Sequence, residues 1–410
     1  MRLLCLFHRV PFPPDKGEKL RGYHLLTALA EHFTIEVGAF FDEGDRSAAE
    51  AFLARHADRW RLVPLGRLRP LLRGGVALAA GRAVSCGYFR DPRLVRFVAQ
   101  ACARGAAAAY VFSGPMAQYV CDCDRPGRAR LPFLLDLVDV DSAKWAALAE
   151  RHSFPRGPLY ALEARRLATF EARAAVAAGR VTLVTEAEAA LFRRLQPQIP
   201  AERVAVLENG VDTDFFTPRP RRPDPSPALI FTGRMDYAPN VEGICWFVRH
   251  VWPALTTRHA ELRLFVVGAR PARAVTRLAR DPRITVTGRV SDVRPFYEQA
   301  DIAIVPLLTA RGIQNKLLEA MAMAMPVVTS SAAFEGLDTK AGAFVQIADE
   351  PAGWVAALDA LLRDPEQRRS LGEQARRFVC TRYGWARQGR RLADMLASLA
   401  GGRPVREARP

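Results

Sequence analysis

Lysine is nearly missing from this 410-residue chain. It stands only at Lys16, Lys19, Lys144, Lys316 and Lys340, so arginine carries almost all of the formal charge of +16. The arginine preference is of the kind genome composition produces. The basic excess itself predicts attraction to anions such as nucleotide phosphates, acidic lipids or nucleic acid. Long apolar runs are missing too. None approaches the roughly 20 residues of a spanning helix, which predicts a soluble or peripheral protein. Met1 to Phe7 is apolar, but His8 and Arg9 end it too early for a signal peptide. It reads as a first buried strand. The seven cysteines are scattered and odd in number, which excludes a complete disulfide framework and predicts thiols in a reducing cytoplasm. Cys121-Asp122-Cys123 is too tight for an ordinary zinc pair, and no second pair follows. No short-period repeat is present, so a solenoid is excluded.

What is present is a rhythm. Apolar residues make up 50% of the chain, enough for full cores. Leu3–Phe7, Thr34–Phe41, Ala108–Phe112, Pro132–Val138 and Val181–Thr185 read as strands. Helical patterns lie between them, at Gly17–Glu31 and Tyr160–Ala178. Thr217 to Pro227 is too rich in proline for helix or sheet and reads as a linker. The rhythm then restarts with strands at Ala228–Thr232, Leu262–Val267, Ile284–Thr287, Ile302–Pro306 and Val327–Thr329, and a helix at Val241–Val251. The segment Asp364–Leu399 reads as helical and arginine-rich. Alternation of this kind predicts an α/β fold of two parallel-sheet, Rossmann-like domains, with ligands in the cleft between them. The expected division is residues 1–216, linker 217–227, second domain 228–380 and a C-terminal helix and tail 381–410. No Gly-x-Gly-x-x-Gly follows the first strand of either domain, which argues against a nicotinamide-dependent oxidoreductase.

The most informative stretch runs from Gly312 to Val328. Gly312, Ile313, Gln314 and Asn315 form a glycine-led polar loop that opens a helix, and Pro326 ends it. The helix start favours an anion. Lys316 adds a cation there, and Glu319 follows one turn on. Phosphate and sugar hydroxyls suit this mixture. Gly233-Arg234 ends the first strand of the second domain, where glycine admits a ligand to the backbone and arginine can grip a diphosphate. Asn209-Gly210 reads as a turn beside the linker. Asp15 to Arg21 opens the first helix on Gly17, which allows a sugar or phosphate close to the backbone. Asp136, Asp139 and Asp141 cluster at the end of a strand, and one of these carboxylates could orient or deprotonate an acceptor hydroxyl. From Arg61 to Arg82, Arg61, Arg67, Arg69 and Arg73 mix with Leu62, Leu65, Leu68, Leu71 and Leu72. That pattern suits an anionic membrane surface or an ordinary solvated segment.

Taken together, these residues resemble the retaining glycosyltransferases of family four, which have the two-domain GT-B fold. The resemblance rests on Asn209-Gly210-Val211-Asp212 with Phe216, on Gly233-Arg234, and on Lys316 to Val328 with Glu319. Pro11–Gly22, Asp136–Trp145 and Met235–Asn240 look closest to the sugar transferases found beside PEP-CTERM/exosortase exopolysaccharide loci. The resemblance implies a nucleoside-diphosphate sugar held mainly by the C-terminal domain. Glu319 would then accept hydrogen bonds from the ribose, Arg234 and Lys316 would clamp the diphosphate, and Gly17 would let phosphate and sugar approach. The position eight residues before Glu319, where the family usually has a second glutamate, is Arg311. The usual lysine shortly after the strand-end arginine is also absent, with Pro239-Asn240 in its neighbourhood. Where many relatives carry a catalytic histidine, the matching strand end offers Asp139.

The expected activity is retaining, metal-independent transfer of a sugar to a glycan or lipid-linked acceptor, with no cofactor beyond the nucleotide sugar. The expected location is cytoplasmic, at or near the inner membrane face. A sugar-nucleotide epimerase on the same fold and a basic nucleic-acid-binding module are the alternatives. The dispersed arginines and the lack of an aromatic RNA-binding signature weigh against the second.

Overall fold

The computed structural model describes residues 1–66, 68–121, 131–219, 226–310, 312–337 and 343–401. The chain divides into two compact units. One comprises Met1–Glu208 together with the chain from Ala386 onward, and the other is Asn209–Trp385.

The first unit is built on strands β1 Arg2–Phe7, β2 Thr34–Phe41, β3 Arg59–Pro64, β4 Ala108–Phe112, β5 Phe133–Val138, β6 Arg180–Leu183 and β7 Val204–Val206. They form one seven-stranded sheet in the order β3-β2-β1-β4-β5-β6-β7, and every pairing is parallel. A parallel sheet needs crossover helices, which cover both faces, so its central strands are mostly apolar. Leu3 to Phe7 are accordingly fully buried. The second unit has strands β8 Ala228–Thr232, β9 Arg263–Val267, β10 Ile284–Gly288, β11 Ile302–Val305, β12 Val327–Thr329 and β13 Val345–Ile347. They form a six-stranded sheet in the order β10-β9-β8-β11-β12-β13, again parallel. In both sheets the first strand lies inside and the order reverses beside it. The carboxyl ends of the strands at such a reversal are where ligands bind.

The unit boundaries correct the division expected from sequence. Residues 209–216, expected with the first domain, group with the second. Val211 bridges Gly384 in parallel, and Arg376 donates to the carbonyl of Phe216 at 2.8 Å. The linker residues 220–225 lie outside the described residues. The helical tail is two helices, Pro365–Tyr383 and Trp385–Leu399, broken at Gly384. The last helix belongs to the first unit rather than forming a separate tail. Its Leu392, Ala393 and Leu396 are fully buried, and Arg391 donates to the carbonyl of Val206 at 2.8 Å.

The arginine–leucine segment also divides. Arg59–Pro64 is strand β3, with Leu62 and Leu65 in the core. Helix Leu68–Ala79 instead leaves Leu68, Leu71, Leu72 and Val76 at least 64% exposed. These four recur at helical spacing on one face. Arg67 lies outside the described residues.

Candidate functional site

In the second unit the site grows from two neighbouring strand ends. β8 ends at Thr232 and is followed by Gly233 at φ +148°, and Gly268 follows β9 at φ +157°. A Cβ on Gly268 would stand 1.7 Å from the carbonyl oxygen of Gly233. Only glycine permits both the dihedral and the approach. A Cβ on Gly233 would meet Asn240 Nδ2 at 2.8 Å and Lys316 Cε at 3.2 Å. The lysine stem therefore runs along the open side of this glycine.

Lys316 reaches that place because helix Asn315–Ala322 buries Leu317, Leu318 and Met321 against the sheet, which turns Lys316 and Glu319 to the helix's partly open side. Lys316 Nζ donates to Asn240 Oδ1, and Asn240 Nδ2 donates to the carbonyl of Arg234 at 2.8 Å. The ammonium also lies 5.1 Å from the centre of the Phe231 ring. Burial lowers the Lys316 pKa to about 8, opposed by the charge of Glu319. Burial raises Glu319 to about 7, opposed by Lys316. No hydrogen bond or ion pair engages the Glu319 carboxylate among the described residues. Beneath it, Tyr297 Oη lies 3.0 Å from Thr232 Oγ1.

The loop that opens this helix has Gly312 at φ +66°. Gln314 Nε2 donates to the carbonyl of Gly312 at 3.2 Å, and Ile313 is buried. The buried Oδ1 of Asn315 has no hydrogen-bond partner among the described residues. Such an acceptor can be satisfied by a water or by a donor such as a hydroxyl. Arg311 lies outside the described residues. Arg234 is held as a bidentate pair by Asp236 at 3.1 and 2.8 Å, on the surface. Asn240 thus links the Arg234 backbone to the Lys316 ammonium, while the Arg234 guanidinium faces Asp236. Asn209 is half-buried, and the glycine after it is dictated by packing rather than by the expected turn, since its φ is not in the left-handed region. A Cβ on Gly210 would stand 2.7 Å from the Trp385 ring.

The first unit holds the other expected residues. Gly17 opens helix Gly17–Ala30, with empty space where a side chain would be. Asp139 accepts from Lys144 at 2.7 Å, and Lys144 also reaches Asp141 at 3.2 Å. The residue before Asp139 is strained: Val138 has φ +69°, where the register of β5 shifts against β6. A β-branched residue in that region is a genuine outlier. The three acids do not act as one group. Asp136 is fully buried and pairs with Arg21 at 3.0 and 3.2 Å and with Tyr110 Oη at 2.8 Å. It is a structural partner, which removes it from the candidate acceptor-side acids. Among the described residues, no three His, Cys, Asp or Glu side chains are grouped to hold a metal ion. Asp122 and Cys123 lie outside them.

Asn240, Gly268 and Tyr297 were not singled out from sequence. Each joins the site through a partner far away in the chain, and only Pro239-Asn240 at a helix start gave a signal.

Two parallel-sheet, Rossmann-like units in succession, each with its ligand-binding edge at a strand reversal, define the GT-B fold. The protein HepE of Anabaena, solved in complex with UDP, has the same fold. It superposes with a TM-score of 0.66 over 97% of this chain and 100% of that one, at 15% identity. Residues 226–364 match the family described as glycosyl transferases group 1. The D-inositol 3-phosphate glycosyltransferase of Corynebacterium kroppenstedtii is 28% identical over 221 residues, 47% of this chain and 48% of that protein. The GDP-mannose-dependent alpha-(1-6)-phosphatidylinositol monomannoside mannosyltransferase of Mycolicibacterium smegmatis is 27% identical over 234 residues, 51% and 59% of the two chains. The chain thus spans about half the length of these relatives.

Proposed function

We propose that this chain is a retaining glycosyltransferase that moves a sugar from a nucleoside diphosphate to a hydroxyl of a glycan or lipid-linked acceptor. The carrying observation is the corner where Lys316, Asn240 and the side-chain-free Gly233 meet, with the unengaged Glu319 one helical turn away. A diphosphate laid against Gly233 meets the Lys316 ammonium and the amides of a helix start. Glu319 is then free to accept from ribose hydroxyls. As the bond to the sugar breaks, charge grows on the diphosphate, and these fixed donors stabilise it without a metal ion. Arg234 adds its guanidinium by exchanging Asp236 for phosphate. In the first unit, Gly17 leaves room for the donor's phosphate and sugar. Asp139 takes the acceptor hydroxyl, its carboxylate held in place by Lys144. The matched relatives include one named for a phosphorylated inositol and one named for GDP-mannose, and HepE holds UDP. The GDP-mannose of the second and the UDP of HepE support a nucleotide-sugar donor.

A role in exopolysaccharide synthesis rests on the segments Pro11–Gly22, Asp136–Trp145 and Met235–Asn240. Peripheral attachment to an anionic membrane is supported by the exposed apolar face of helix Leu68–Ala79 beside the exposed Arg69. No helix among the described residues is long and apolar enough to cross a membrane. The test of the activity is incubation with a panel of nucleotide sugars and a lipid-linked acceptor, with the product anomer read by NMR. Transfer with retained configuration supports the proposal. Release of an epimerised sugar without acceptor would replace it by an epimerase.

A further inference from the structure

The first unit contains a cavity of about 160 Å³ that the proposed transfer does not use. It lies where helix Arg156–Ala177 meets the end of helix Leu68–Ala79 and the short helix Val84–Tyr88. Its volume is well above the roughly 10–15 Å³ that a single water needs. Arg82, Arg90, Arg166 and Arg173 line it with Gln118 and Cys86, and no acid is among its lining residues.

Three of the four guanidinium groups are held by neutral partners. Arg166 Nη1 donates to the carbonyl of Leu78 at 2.8 Å, and Arg90 Nη1 donates to Gln118 Oε1 at 3.1 Å. Arg173 lies over the Phe170 ring, 5.4 Å from its centre. Arg82, Arg166 and Arg173 form no ion pair among the described residues. The nearest carboxylates are engaged elsewhere. Glu163 accepts from Val84 N, Ser85 N and Ser85 Oγ at 2.6, 2.9 and 2.7 Å, and Glu171 accepts from Ser142. Burial pushes the Cys86 thiol up to about 12, so it contributes no negative charge. Arg82, Arg166 and Arg173 face one space without an ion-pair partner among the described residues, so they repel one another, and a bound anion relieves this. Planar guanidinium forks suit phosphate oxygens.

We infer that this arginine-lined cavity binds a phosphate group. The phosphate could come from a lipid phosphate or from a free phosphorylated metabolite. The cavity lies at the end of the helix that exposes Leu68, Leu71, Leu72 and Val76, which places apolar surface on the same element. The inference does not depend on the transferase reading, because none of its residues belongs to the Lys316 corner.

Calorimetric titration of the full chain with inorganic phosphate, hexyl phosphate and hexanol tests it. The titrations are repeated on Lys316→Ala protein, so that phosphate held at the other unit is not counted. The expected result is phosphate-dependent binding. It should fall about tenfold to a hundredfold in the double variant Arg82→Glu/Arg173→Glu, as for a lost charge-assisted contact. Both side chains are exposed, so the fold should persist, and circular dichroism checks this. The variant Arg249→Glu/Arg277→Glu makes the same change in net charge at exposed positions in the second unit and should bind like the parent. Tighter binding of hexyl phosphate than of phosphate identifies a lipid phosphate, and equal binding identifies a free one. Either supports the site. Hexanol binding as well as hexyl phosphate, equal losses in both double variants, or no binding at all overturns it.

Discussion

Glu319 carries a cost in the free protein. Its carboxyl is raised to about 7 by burial, with only Lys316 to offset the loss of water. An acid raised on folding binds protons more tightly in the folded chain than in the unfolded one. The stability this gives is complete at low pH, where both states are protonated, and is lost as pH rises towards the folded pKa. Glu319→Gln should therefore stabilise the protein by about 1–3 kcal/mol at neutral pH and above, a gain that vanishes near pH ~4. Thermal melts across pH measure this. The same variant should lose sugar transfer, because an amide accepts from the ribose less strongly than a carboxylate. A variant more stable yet inactive is the signature of a group kept for function. Lys316 behaves in the opposite sense. With its pKa lowered to about 8, it is charged at neutral pH and loses its charge in alkaline solution. Affinity for a nucleoside diphosphate should fall about threefold to tenfold between pH ~7 and ~9, since binding must first restore the proton. Lys316→Ala should flatten that dependence. At this scale the sequence was informative where residues act within one segment: Lys316 and Glu319 are one turn apart. It gave only a weak signal at Asn240 and none at Tyr297, whose roles come from contacts reaching 76 and 65 residues along the chain.

The strand ends and the helices after them set the geometry of the corner. Gly268→Ala would drive a methyl into the Gly233 carbonyl, and backbone cannot swing aside as a side chain can. It should destabilise the protein by at least about 2 kcal/mol and weaken nucleotide binding with it, read from the melting temperature and from titration. Helix Leu68–Ala79 makes the contrasting prediction. Leu71→Asp/Leu72→Asp should change stability by less than about 0.5 kcal/mol, since both side chains already face solvent, yet should reduce co-sedimentation with anionic vesicles. Unchanged co-sedimentation would remove the membrane reading. Long, mostly apolar strands were legible: Thr34–Phe41 was bounded to the residue. Arg59–Pro64 was hidden because only two of its six residues are buried and two others are arginines. Val204–Val206 and Val345–Ile347 are too short to show a period.

At the scale of the whole molecule, the two α/β halves were readable from their repeated rhythm, but the boundary between them was not. The proline-rich stretch from Thr217 to Pro227 suggested a boundary there. The division falls earlier, at Glu208, because Val211 is already paired with Gly384. The return of the last helix to the first unit depends on buried contacts that no local pattern announces. The cationic corner predicts that transfer persists in a chelator; complete loss in EDTA, restored by manganese or magnesium, would make Asp139 and Asp141 candidate ligands. The central claim is that the corner formed by Gly233, Asn240 and Lys316 holds the diphosphate of a nucleotide sugar. Calorimetric titration of nucleoside diphosphates into the full chain and into Lys316→Ala tests it most directly. The account predicts saturable binding at one site, weakened about tenfold to a hundredfold by the substitution. Equal affinity in both proteins, or no binding to the parent chain, would contradict it.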